Sequence, residues 1–190
     1  MRSRNLVATI IVSGVLGMAG QAAAKQPDSV RATAVPPVPN ASENYPVTYP
    51  GGAAPAPVNG ALDADDSIYN RVVSCAGLSG VGTAVYYDTI TVTYTGSGTA
   101  SLTITKTGGD TFLTAYSPSF NPASPLTNCL AYNDDTTGVP NNGSQLSGIT
   151  FTPGQTIIFV VSSFDNGATF PWTADFTGTT PVDLQSFRIE

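Results

Sequence analysis

Six side chains that offer oxygen atoms, Asp110, Asn133, Asp134, Asp135, Asp165 and Asn166, fall at the ends of apolar or alternating segments. Their chemistry is that of ligands for a hard cation. Calcium takes six to eight oxygens from carboxylates, amides and backbone carbonyls. Turns that meet at one end of a fold would supply several of these. The cation set expected from sequence is Asp110, Asn133, Asp134, Asp135 and Asp165. The spacing is not that of the D-x-D-x-D-G loop. Asp and Asn also cap turns through their own backbone hydrogen bonds, so both uses stay open.

Other chemistries are poorly supplied. The chain has no histidine, so the commonest general base and the commonest zinc nitrogen are missing. No serine sits in a G-x-S-x-G elbow. A carboxylate pair could hydrolyse a glycoside, but Asp134 and Asp135 are adjacent and point apart in extended chain. No catalytic residue is expected, and a secreted hydrolase is the alternative with least support. Tyr86, Tyr87, Tyr116, Tyr132, Phe170 and Trp172 could include a stacking platform for polysaccharide, with Tyr116, Tyr132 and Trp172 the candidates. Such residues also fill sandwich cores. Two N-x-S sequences, at Asn40 and Asn142, match the glycosylation pattern and are treated as chance.

The start of the chain bears on compartment. Arg2 and Arg4 precede an apolar run from Leu6 to Met18, and Ala22-Ala23-Ala24 follows. This pattern predicts a cleaved signal peptide over residues 1–24. The run is too short for a membrane anchor of about 20 apolar residues, so no membrane insertion is expected after cleavage. Without Arg2 and Arg4 the chain has five basic and 13 acidic residues, a net charge of −8. That field repels nucleic acid and anionic lipid. Two cysteines, Cys75 and Cys129, form an even pair in a chain expected to reach an oxidising compartment. A disulfide is favoured over two free thiols there.

These residues need a scaffold, and its period is two. In Thr89–Thr95, Ile90, Val92 and Tyr94 alternate with threonines, which marks a half-buried strand. Leu102 and Ile104 repeat the pattern, and Thr111 to Tyr116 is a third strand after the turn Thr107-Gly108-Gly109-Asp110. Pro118, Pro122 and Pro125 make 117–128 a surface loop. Cys129 to Tyr132 is a short strand. Gln145–Thr152 and Gln155–Ser162 are expected to form a hairpin about Pro153-Gly154. Ile157 to Val161 is apolar throughout and reads as a central strand covered on both faces. Trp172, Ala174 and Phe176 alternate in a last strand. Ser67 to Ser74 fits either a strand or a helical turn. Seven to nine short strands with frequent turns predict an all-β, antiparallel β-sandwich.

The order "DTFLTAY…SF…P…N.LAYNDD…S.ITFTPGQTIIFVVSSFDNG" resembles the bacterial pre-peptidase C-terminal domains and their CUB-like relatives. The matching positions are Asp110, Leu113, Tyr116, Asn133, Asp134, Asp135, Ile149, Pro153, Gly154, Val160, Val161, Phe164 and Gly167. The resemblance covers about residues 61–178 and implies a jelly-roll-like sandwich in an exported bacterial protein. Domains of this kind usually accompany secreted hydrolases or surface proteins, and some bind calcium, polysaccharide or collagen. No peptidase domain stands beside the resembling region, so an accessory role within one chain is not expected.

The expected layout is a signal peptide (1–24), a Pro-rich linker or disordered arm (25–60), a β-sandwich (61–178) and a tail (179–190). Residues 25–60 hold eight of the 15 prolines. The expected function is an exported, non-catalytic module, secreted, periplasmic or at the cell surface, that recognises polysaccharide or an extracellular protein, with calcium as its one candidate cofactor. The alternative is a structural or assembly component of the cell envelope.

Overall fold

The computed structural model describes residues 42–97 and 99–179. The expected signal peptide, residues 25–41 of the expected arm and residues 180–190 lie outside them. Twelve strands form: β1 (Asn44–Tyr49), β2 (Val58–Leu62), β3 (Ile68–Tyr69), β4 (Val72–Ser74), β5 (Gly77–Leu78), β6 (Val85–Tyr94), β7 (Ala100–Thr107), β8 (Thr111–Tyr116), β9 (Cys129–Asn133), β10 (Gln145–Phe151), β11 (Thr156–Ser163) and β12 (Phe170–Thr179). Among the described residues, one 3-10 turn spans Pro140–Asn142. No helix among the described residues is long and apolar enough to cross a membrane.

Two sheets carry the fold. One runs β1-β6-β11-β8-β9, with β3 also paired to β6, and the other runs β10-β7-β12-β2. The pairs β8·β9, β7·β10, β6·β11 and β2·β12 are all antiparallel. In chain order they nest one inside the next, as in a jelly roll. The fold is therefore the expected all-β sandwich.

The alternation seen in sequence does the packing. Ile90, Val92 and Tyr94 of β6 turn inward to meet Ile104, Phe151, Trp172, Ala174 and Phe176 of the opposite sheet. β11 is covered on both faces, as its apolar run requires. Ile157, Phe159 and Val161 join the core between the sheets. Ile158 and Val160 face a second cluster with Tyr69, Val85 and Tyr116, closed by Phe120 from the 117–128 loop. Burying a side chain of this size is worth about 1.5–3 kcal/mol.

Three expectations are corrected. The fold begins before residue 61: β1 and most of β2 lie within the stretch expected to be a linker. Tyr45, Val47 and Tyr49 do alternate there, and Tyr49 is fully buried against Tyr94 and Phe151. Pro46 is tolerated because β1 is an edge strand. β1 also runs parallel to β6, a single departure from the antiparallel pattern. The turn at Pro153-Gly154 does not close a hairpin. It carries the chain from β10 in one sheet to β11 in the other, and the turns at Gly96-Ser97 and Gly108-Gly109 also cross between sheets. Of the two readings left open for residues 67–74, strand holds, as β3 and β4.

Candidate cation centre

Strand register brings the acidic turns together. Ser163 of β11 sits opposite Thr111 of β8, and Leu113 sits opposite Asn133 of β9. The segments 107–111, 133–144 and 163–167 therefore open at the same end of the sandwich. Phe164 N donates to Asp110 O at 3.0 Å. Gly108, with φ of 114°, makes the turn that delivers Asp110: a Cβ there would lie 2.3 Å from Pro171 O. The 134–144 loop is held by a buried clasp in which Ser144 N donates to Thr111 Oγ1 and Lys106 N donates to Ser144 O.

Asp110, Asp134 and Asp135 each place a carboxylate oxygen within 4.8 Å of the others. Asp134 Oδ1 is buried with no hydrogen-bond partner in the protein. Burial, then the neighbouring Asp135, pushes the Asp134 carboxyl above its ordinary range. Burial raises Asp110 too, against a hydrogen bond from Asn142 and with Asp135 adding repulsion. Close carboxylates of this kind repel unless a cation or donors compensate. An all-oxygen donor set suits calcium or magnesium rather than a thiolate-seeking or imidazole-seeking metal.

The other expected ligands are used elsewhere. Asn133 Oδ1 accepts from Thr136 Oγ1 at 2.7 Å and from Gln145 N at 3.0 Å, which makes it a turn cap. Asn166 Oδ1 accepts from Ala84 N at 2.8 Å and its amide donates to Thr83 Oγ1, clipping the 163–167 turn to the 79–84 loop. Asp165 is exposed and outside the trio.

One neighbour escaped the sequence. Arg71 is 1% exposed, its guanidinium held between the rings of Phe112 and Phe164 at 4.2 and 4.6 Å. It donates from Nε to Phe164 O and from Nη1 to Val72 O. Burial lowers its pKa, while Asp134, Asp110 and Asp165 act in the opposite sense. Gly82 makes room for it, since a Cβ there would lie 2.4 Å from Arg71 Nε. Arg71 thus supplies a fixed positive charge behind the trio.

The aromatic candidates are corrected by burial. Trp172 is 2% exposed, its Nε1 donates to Asp88 Oδ2 at 2.9 Å and Tyr45 packs edge-on against it. Tyr116 is fully buried. Neither can stack a sugar. Tyr132 is 44% exposed and lies parallel to Phe112, so it alone of the three is presented to solvent. Cys75 and Cys129 are bridged, with Cα atoms 5.4 Å apart.

No family model and no curated protein matches the chain. Among solved structures, the fold is similar to the pre-peptidase C-terminal domain of a collagenase from Bacillus anthracis, at 13% identity over 72% of this chain and 96% of that one, with a TM-score of 0.42. It is also similar to a periplasmic inhibitor of g-type lysozyme from Aeromonas hydrophila, at 15% identity, 72% and 99% coverage and a TM-score of 0.35. A third is a surface-associated copper-binding protein of Methylomicrobium album BG8, at 11% identity, 72% and 98% coverage and a TM-score of 0.34. A pre-peptidase C-terminal domain is thus among the similar structures, as the sequence resemblance leads one to expect.

Proposed function

We propose that this chain is an extracytoplasmic, non-catalytic binding module that holds calcium at Asp110, Asp134 and Asp135 and presents the adjoining surface to a polysaccharide or protein. The observation that carries the reading is the unpartnered, buried Asp134 Oδ1 beside two further carboxylates. The disulfide and the leader-like N-terminus support the compartment. The three carboxylates would hold the ion, and backbone carbonyls and water would fill the remaining positions. Bound calcium would relieve the repulsion among them and fix the 107–111 and 133–144 segments against each other, giving a partner a set surface.

The test is thermal unfolding in chelator and over a calcium series. At a hundredfold excess over Kd, binding should add about 2.7 kcal/mol of stability. Asp134→Ala should abolish the response while the calcium-free protein still folds. Asp165→Ala should respond like the native chain, because Asp165 lies outside the trio. A melting temperature unchanged over the whole series would return the three aspartates to turn capping.

A further inference from the structure

Among the described residues, five of the seven exposed large apolar side chains, all but Ile68 and Val81, belong to β4, β5, β9 and the end of the 117–128 loop. Val73, 54% exposed, and Leu78, 44% exposed, flank Cys75 in β4 and β5, while Leu126 and Leu130 flank Cys129 at 40% and 51%. The Cys75–Cys129 bridge ties these segments together. A cleft of about 270 Å³ opens there, lined by Leu78, Pro125 and Leu126 among others. Tyr132, also exposed, continues the apolar surface along β9.

The same place offers a strand edge. β9 ends the path β1-β6-β11-β8-β9. Among the described residues, the backbone of Leu130, Ala131 and Tyr132 makes no hydrogen bond outside its ladder with β8. Other edges differ: β1 carries Pro46, β10 breaks register between Leu146 and Ile149, and β2, paired with β12 alone, presents no exposed large apolar side chain. β9 also has a bulge, at Leu130, but it bears neither proline nor charge.

Charge selects the occupant. Among the described residues the cationic side chains are Arg71 and Lys106, and both are buried, at 1% and 0% exposure. Every other charged side chain there is a carboxylate. Asp134 and Asp135 directly follow β9. A second copy would bring acid against acid, whereas a basic chain is attracted.

We propose that the β9 edge and the cleft beside the disulfide dock an extended segment of a basic protein partner, in which apolar residues alternate with lysine or arginine. Its backbone extends the sheet beyond β9, its apolar side chains cover Leu130 and the cleft, and its cations face the surrounding acidic surface. This deepens the binding-module reading by naming a protein partner, and it does not depend on the calcium site.

The experiment uses the oxidised chain in chelator, so that its outcome is separate from that of the calcium test. The probe is an acetylated, fluorescent seven-residue peptide alternating Leu and Lys. Saturable binding is expected, with slowed amide exchange at Leu130–Tyr132. Leu130→Asp should weaken binding at least tenfold, and its half-exposed position leaves the fold intact, checked by an unchanged melting temperature. Thr177→Asp, on an exposed strand position of the opposite sheet, should leave binding unchanged. Were Leu130→Asp to bind as tightly or more tightly, the attraction would be general acidity and the proposal would fall. Equal binding of a Leu–Glu peptide would also overturn it. So would a dimer of the chain, seen by sedimentation and lost in Leu130→Asp, because the edge would then belong to a second copy.

Discussion

Lys106 continues the inward file of Ile104 on β7 and is fully buried. Its ammonium donates to Thr107 O at 2.9 Å and lies 5.2 Å from the Trp172 ring centroid. Burial pulls its pKa down to about 7, with Asp88 acting the other way. Burial raises Asp88 to about 6, against the hydrogen bond from Trp172. The lysine has a signed consequence. Between about pH 7 and the ordinary lysine value near 10, the unfolded chain holds a proton that the folded chain has released. Stability should therefore rise with pH across that window, and the full penalty is present below it. Lys106→Met should stabilise the protein at pH 6 and flatten the rise, read from urea midpoints at pH 6, 8 and 9.5. An unchanged slope would assign the proton to another group. Both residues were legible in sequence, although neither was expected from it: the parity that turns Ile90 and Ile104 inward also turns Asp88 and Lys106 inward. Arg71 was not, because β3 and β4 are too short to show a period. Nor could sequence separate Asp134, whose oxygen lacks a partner, from Asn133, whose oxygen has two, since that depends on which way adjacent side chains leave β9.

The strands differ in how plainly the sequence announces them. The threonine alternation in β6 and the continuous apolar run in β11 each follow from which faces are covered, so both could be read directly. Turn chemistry is less informative. Gly108-Gly109 and Pro153-Gly154 reverse the chain, but the sheet that the next strand enters is decided by packing across the core. Prolines hid β1, although Tyr45, Val47 and Tyr49 keep the period. The disulfide acts at this scale as well. It joins β9 to the turn between β4 and β5 across a separation of 54 residues. Loop-closure entropy of that length is worth about 4 kcal/mol in the chain-entropy model. The double variant Cys75→Ser, Cys129→Ser should lose stability of that order in urea unfolding. A loss well under 1 kcal/mol would mean that the unfolded chain gains little freedom when the bridge is absent.

For the molecule as a whole, 13 acidic against seven basic residues, with both cations of the described residues buried, means self-repulsion. The screening length falls from about 30 Å at 0.01 M salt to about 10 Å at 0.1 M. Sodium chloride should accordingly raise the urea midpoint over that range, measured in chelator. A midpoint that falls would show that attraction between Arg71 or Lys106 and the acids outweighs the repulsion. The nesting of the strand pairs also governs the order in which the protein can be completed. The innermost pair, β8·β9, is joined by the 117–128 loop, whereas the outermost sets Gly60 against Trp172. β2 has no neighbour except β12. A ribosome that adds about 5–20 residues each second delivers β12 after every other strand. Until then one sheet lacks the strand that unites β7 with β2. Up to that moment the sandwich is one strand short, and an unfinished fold is easier to draw end-first through a narrow channel than the finished one.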